Sequence, residues 1–212
     1  MTDAPAPRRR LLARGRSSRT RAQAQEGPSR PAANLGDVRT VELLCSPPLE
    51  DAVRGAWHRL AEAGLPSLAR NTHPTNRPHL TLASVDEFPP GAQARLAALV
   101  DAVLPLPVQL DRVTVLDGSA PLVWLVRPSP ALTALHAAVW DALAGADGLL
   151  PWHAPGRWIP HLSLALRFRD ADRRRARAVA AADRPTGAFV AARSYDGADR
   201  TVTALGRAVP DT

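Results

Sequence analysis

The hexapeptide Pro78-His79-Leu80-Thr81-Leu82-Ala83 returns as Pro160-His161-Leu162-Ser163-Leu164-Ala165, with Thr against Ser the only change. In an extended strand, residues i and i+2 share a face while the residues between them point the other way. Each copy can therefore bury its leucines and present a His and a hydroxyl together. The spacing reaches beyond the motif. His161 lies 82 positions after His79, and the same offset sets Val41 on Val123, Leu43 on Leu125, His58 on Trp140 and Val108 on Val190. The chain thus reads as one β-α-β-α-β unit used twice. That predicts an α+β fold of two pseudo-symmetric lobes with mainly antiparallel sheets. Lobes facing each other across a pseudo-two-fold axis would set the two His strands side by side in a central cleft.

The predicted elements follow the repeat. In the first unit, Val38 to Cys45 alternates as a strand, and Pro47-Pro48 precedes a helix over 49–63 with Gly64 as its stop. The first His strand covers 79–85. A second helix opens at Pro89-Pro90 and ends near Val103, and a strand covers 107–116. In the second unit a strand at 122–126 leads to a helix over 128–144, then the second His strand at about 158–168. An Arg-rich helix over 171–182, N-capped by Asp170, is followed by strands at 187–195 and 199–206 across an Asp196-Gly197 turn. This places a single two-lobed domain at 36–209, with lobe 1 at about 36–117 and lobe 2 at about 118–209. Residues 1–35 are expected to be a disordered Arg-rich tail.

Charge says little about partners. The formal net charge is +7, but residues 1–33 hold Arg8, Arg9, Arg10, Arg14, Arg16, Arg19, Arg21 and Arg30 against only Asp3 and Glu26. Most of the basicity therefore belongs to the tail and not to a folded face. Every basic residue is Arg, with no Lys, so arginine counts carry compositional bias as well as function. The single Cys45 rules out an intrachain disulfide or a cysteine metal cluster, which favours a reducing, cytoplasmic setting. No apolar run reaches membrane-spanning length.

Two imidazoles and two hydroxyls suit acid–base chemistry on a phosphodiester. With an ordinary pKa of roughly 6.5, one His can take a proton from water while the other, charged, protonates the departing sugar oxygen. Thr81 and Ser163 can donate hydrogen bonds to non-bridging oxygens. His73 and His153 lie in the loops leading to the motifs, but their spacing lacks the short pairing usual in metal sites, so no metal is expected. His58 and His136 fall on helices, at surface or boundary positions.

Paired His-x-Thr/Ser motifs on strands of a duplicated α+β fold resemble the two-histidine (2H) phosphoesterases, in particular the bacterial 2′-5′ RNA ligase-like branch. The resemblance covers roughly 36–209. It implies a metal-independent, cofactor-free cyclic phosphodiesterase, with His79 and His161 catalytic and Thr81 and Ser163 binding phosphate. The implied substrate is a 2′,3′-cyclic phosphate on an RNA terminus or a small nucleotide, with 2′-5′ RNA ligation as a further activity and a monomer with no obligate protein partner. The alternative is a non-catalytic RNA-end or nucleotide-binding protein that keeps the cleft. Candidate substrate contacts are Arg77 and Arg157, just upstream of the histidines, and Arg167, whose strand parity matches His161. Each of these has a solvated surface role as its alternative. Trp158 and Trp152 can stack on a base or pack at a lobe edge, and the Arg173-Arg174-Arg175-Arg177 run can hold an RNA backbone or form an exposed helix face.

Overall fold

The computed structural model describes Met1 and residues 38–116, 121–168, 172–181 and 185–207. The Arg-rich segment expected to be disordered, and the Asp170 cap, lie outside the described residues. Among the described residues there are seven strands: β1 (Arg39–Cys45), β2 (His79–Val85), β3 (Leu106–Val115), β4 (Leu122–Val126), β5 (His161–Ala165), β6 (Thr186–Asp196) and β7 (Thr201–Leu205). Four helices accompany them: α1 (Pro47–Glu62), α2 (Ala92–Val103), α3 (Pro130–Ala142) and α4 (Arg173–Ala180). Local chemistry explains the helix starts. Pro130 opens α3 where its missing N–H costs nothing, and the Ser129 side chain accepts from the Leu132 N–H at 3.1 Å. At its far end α4 is finished by Arg59 of α1, which donates to the carbonyls of Val179 and Ala180.

All strand pairs are antiparallel, and they close on themselves. The sheet order is β1-β2-β5-β4-β3-β6-β7, and β1 pairs with β6 as well. Each His strand has the same irregularity against its neighbour. Val41 and Glu42 face Ala83 and Thr81, passing over Leu82; Leu122 and Val123 face Ala165 and Ser163, passing over Leu164. The same strand pattern therefore recurs around both motifs, down to a β-bulge. The two sequence units are interwoven in one respect: β3, the last strand of the first, pairs with β4, and β6, of the second, pairs with β1. The spatial halves so formed, β1-β2-β6-β7 and β3-β4-β5, are joined by two strand pairs: β2 with β5 through Leu80 and Leu162, and β3 with β6 over Leu106–Gln109 against Thr186–Phe189.

The 82-residue offset does not hold along the whole unit. Register aligns Glu42 with Val123 and Val108 with Gly187, one and three positions short of it, because loops between the elements differ in length. The second His strand is also shorter than expected. It starts at His161, since Pro160 offers no N–H to a ladder, and it ends at Ala165.

One apolar cluster holds the fold together. Leu80, Leu82, Leu162 and Leu164 are buried with Leu49, Trp57, Leu132 and Val139 beneath the helices. Helix α1 packs on α4, and α2 on α3. Each buried leucine contributes about 1.5–3 kcal/mol. Gly187 lies where β6 passes closest to α1, and a Cβ there would stand 2.7 Å from the Leu49 Cβ. Gly187→Val should therefore destabilise the protein by about 1–3 kcal/mol, seen as a lower urea midpoint. An unchanged midpoint would contradict this close approach.

Candidate active site

His79 and Thr81 project from β2 on the face opposite the buried leucines, and His161 and Ser163 do so from β5. All four are half-buried. The antiparallel pairing of Leu80 with Leu162 sets His79 across from Ser163 and Thr81 across from His161. The sequence motifs thus meet as a compact two-by-two patch about the pseudo-dyad, each imidazole beside the other motif's hydroxyl residue.

Both rings are held in the same way. His79 Nδ1 lies 2.7 Å from the Arg77 carbonyl oxygen, and His161 Nδ1 lies 2.7 Å from that of Ile159. A carbonyl oxygen can only accept, so each Nδ1 carries the hydrogen and donates it. Each Nε2 is then the atom that gains or loses a proton. The intervening Pro78 and Pro160 keep the preceding backbone extended, which turns those carbonyls back toward the rings.

Two indoles close the gap where β2 and β5 diverge. Trp57 of α1 donates from Nε1 to the Ser163 carbonyl at 2.9 Å, and Trp158 donates to the Thr81 carbonyl at 3.0 Å. They are not repeat equivalents, yet each seals the partner motif. Trp158 also stacks on His136, with centroids 3.9 Å apart and planes 3° from parallel. The ring considered for base stacking is thereby packed into the fold. His136, expected at a surface or boundary, is instead buried, with Nε2 donating to the His153 carbonyl at 2.9 Å. Burial lowers its pKa from the usual histidine range.

Beneath His79 lies a pair that sequence reading missed. Glu42 and Arg193 are buried, 3% and 6% exposed, and Arg193 Nε donates to Glu42 Oε2 at 2.7 Å. Glu42 Oε1 accepts from the Thr40 hydroxyl at 2.8 Å and stands 3.5 Å from His79 Nε2. Arg193 also donates to the Thr75 carbonyl at 3.0 Å, tying down the loop before β2. Burial pushes the Glu42 carboxyl up, but the His79 imidazole, the Arg193 guanidinium and the two hydrogen bonds outweigh it, leaving it below the ordinary carboxylate range. The pair was invisible because its members are far apart in sequence and each sits among mostly apolar or small neighbours in its strand.

The other candidates fall in different places. Arg77 points its guanidinium at Glu50 of α1, with Nη2 2.7 Å from Oε2, and meets His79 through its main chain. Arg157 and Arg167 are exposed, and Arg167 lies beyond the end of β5, so strand parity does not orient it. Within α4, Arg175 donates to the Ala63 carbonyl and Arg177 to the Thr114 hydroxyl, so both brace the helix against α1 and β3. Trp152 is half-buried in a short 3-10 turn (Pro151–His153), and His73 Nδ1 is bonded to the Thr75 hydroxyl at 2.8 Å. His58 is exposed. A depression of about 290 Å³ is lined by Leu125, Ile159 and Pro160 together with Asp111, Arg112 and Arg127, and Leu125 is the cross-strand partner of His161.

A closed antiparallel α+β fold with two mirrored His-x-Thr/Ser strands defines a two-histidine phosphoesterase architecture. A family model for the 2′-5′ RNA ligase superfamily matches residues 47–194, more than half of the chain, and the chain belongs to that superfamily. Solved structures share the fold at low identity. Escherichia coli LigT complexed with NADP+ is 17% identical, with 80% of this chain and 95% of that one covered and a TM-score of 0.50. A structure described only as a phosphoesterase is 16% identical, covering 81% and 99%, also at 0.50. Usb1 of Kluyveromyces marxianus gives 14%, 81% and 98%, and 0.44. No curated protein sequence matches the chain. Among the described residues, no helix is long and apolar enough to cross a membrane.

The depressed Glu42 carboxyl has a consequence for stability. Its contribution is present above the ordinary carboxylate pKa and is lost as pH falls through the lowered native value. Arg193→Met leaves that carboxylate buried without its cation, and should cost about 3–5 kcal/mol near neutral pH. The penalty should shrink toward pH ~4, where the carboxyl in the variant takes up a proton. Urea unfolding of both proteins across pH checks this, and a penalty independent of pH would contradict the ion-pair account.

Proposed function

We propose that the chain is a metal-independent cyclic phosphodiesterase that opens 2′,3′-cyclic phosphates on RNA ends or nucleotides. The observation that carries this reading is the matched tautomer: both histidines donate Nδ1–H to a backbone carbonyl and so reserve Nε2 for proton transfer. One imidazole accepts the proton of an attacking water, and the other, as imidazolium, protonates the sugar oxygen that leaves phosphorus. Thr81 and Ser163 hydroxyls hold the non-bridging oxygens as negative charge grows on them.

The surroundings fit a substrate of this kind. The depression next to β5 offers Leu125, Ile159 and Pro160 as apolar lining for a nucleoside, with Arg112 and Arg127, flanking Asp111, as the cations nearest to it. LigT has been crystallised with NADP+ and with 3′-AMP, and Usb1 with uridine monophosphate. Those ligands are in keeping with a nucleotide in this cleft. Arg157 and Arg167, both exposed, are proposed only as outer contacts for a longer RNA. The lone buried cysteine agrees with work in a reducing cytoplasm, and the chain needs no protein partner to complete the site.

Turnover of 2′,3′-cyclic AMP should be bell-shaped in pH and unaffected by EDTA. His79→Ala and His161→Ala should each lower kcat by about 10²–10⁴-fold, and Thr81→Ala or Ser163→Ala by about 10²–10³-fold. Near-normal turnover in either histidine variant would overturn the reading.

A further inference from the structure

The strands that flank the site carry different side chains on its two sides. Leu125 of β4 stands opposite His161, and β3 bulges at that level. Leu110 faces Val126 and Val113 faces Trp124, so Asp111 and Arg112 together lie across from Leu125. On the other flank, Leu44 stands opposite His79 and Ala191 of β6 lies across from Leu44. The charged bulge is therefore two strands from His161, roughly 10 Å at a strand spacing of ~4.8 Å.

Side-chain alternation brings further residues to the same face. Leu125 and Arg127 alternate with buried Trp124 and Val126, and Ile159 and His161 flank buried Pro160. The Val126 N–H donates to the Pro160 carbonyl and the Arg127 N–H to the Gln109 carbonyl, both at 2.9 Å, which carries the ladder past the end of β4. Arg127 thus lies about 6.6 Å beyond Leu125 along the strand, and Ile159 is 51% exposed. Asp111 orders both guanidiniums: Oδ2 is 3.3 Å from Arg112 Nη1, and Oδ1 is 3.8 Å from Arg127 Nη2. The two arginine side chains stay 69% and 52% exposed, so their outer N–H groups face solvent and a ligand. One carboxylate between two guanidiniums leaves an excess of positive charge.

We infer that Arg112 and Arg127, ordered by Asp111, form a subsite for a phosphate on the 5′ oxygen of the nucleotide whose cyclic phosphate meets the histidines. The inference rests on the proposed hydrolysis and names its substrate class: a 5′-phosphorylated nucleotide or the end of an RNA strand, in preference to a nucleoside cyclic phosphate. The nucleoside lies over Leu125 and Ile159. Its 5′ oxygen is at the opposite end of the ribose from the 2′ and 3′ oxygens, and so is directed away from the histidines toward the two arginines. Guanidinium forks match the oxygens of a phosphate. On the other flank Arg77 is engaged by Glu50, which also binds Arg54. A phosphate there would meet the Glu50 carboxylate, which disfavours it.

Calorimetric titration with 2′-AMP and with adenosine 2′,5′-bisphosphate at low salt is the direct test. The bisphosphate should bind about 10-fold more tightly, and the advantage should shrink as salt rises. In R112M/R127M the two ligands should bind alike. Turnover separates the two sources of the phosphate. Relative to 2′,3′-cyclic AMP, kcat/KM should rise for its 5′-phosphorylated form and for the dinucleotide adenylyl-3′,5′-adenosine ending in a 2′,3′-cyclic phosphate. A gain for the dinucleotide assigns the subsite to an RNA strand, and a gain for the monoester alone assigns it to a free nucleotide; a gain for neither would overturn it. Equal affinities for the two ligands in the wild type would overturn it whatever the variant does, and so would an advantage that persists in R112M/R127M. Tighter bisphosphate binding without turnover of any cyclic substrate would instead overturn the phosphodiesterase reading, so the two failures are distinguishable.

Discussion

One strand contact, Leu80 against Leu162, joins the two halves on the catalytic side of the sheet. Neither motif is a site alone, because a single His-x-Thr strand offers one imidazole and one hydroxyl. The antiparallel pairing converts two linear motifs into a patch of four, with each imidazole opposite the other motif's hydroxyl residue. The contact is short because the strands diverge beyond it, and the carbonyls exposed by that divergence are taken up by the Trp57 and Trp158 indoles. A buried carbonyl without a donor is costly, so the indoles permit the opening that a cleft requires.

Interweaving strengthens this arrangement. Because β3 crosses to β4 and β6 crosses to β1, each half of the sheet contains strands from both sequence units. Relative sliding of the halves would break ladders on both sides of the ring. The same closure leaves β7 as an exposed edge, where β6 turns back through Asp196 to Arg200. The catalytic strands β2 and β5 thus lie within the closed ring and away from its free edge, as a site that needs fixed rotamers demands.

Much of this was legible in the sequence. The strands at 79–85 and 122–126 and the face shared by His79 and Thr81 follow from period-two alternation, and the pairing of the motifs follows from duplication. What was not legible depends on contacts between distant residues. The crossing of β3 and β6 leaves no local signature, since each strand alternates equally well in either half. The second His strand starts only after Pro160 and ends at Ala165, and that early end removed the parity argument for Arg167. His136 looked like one more helical polar residue, yet a ring stacked on Trp158 and bonded to the His153 carbonyl can be buried without loss. Glu42 and Arg193 carry a sharper lesson. A duplicated sequence draws attention to what repeats, while this pair departs from the repeat, a carboxylate across from Thr81 where the other half sets Val123 across from Ser163.

The central claim is that one ligand phosphate is held by both motifs at once. Site-resolved NMR of the His79 and His161 ring C–H signals during titration with 2′-AMP tests it directly. Both rings should respond with the same midpoint, and Thr81→Ala and Ser163→Ala should each weaken that shared midpoint. A response from one ring only, or two rings saturating at different concentrations, would contradict a single site built across the Leu80–Leu162 contact.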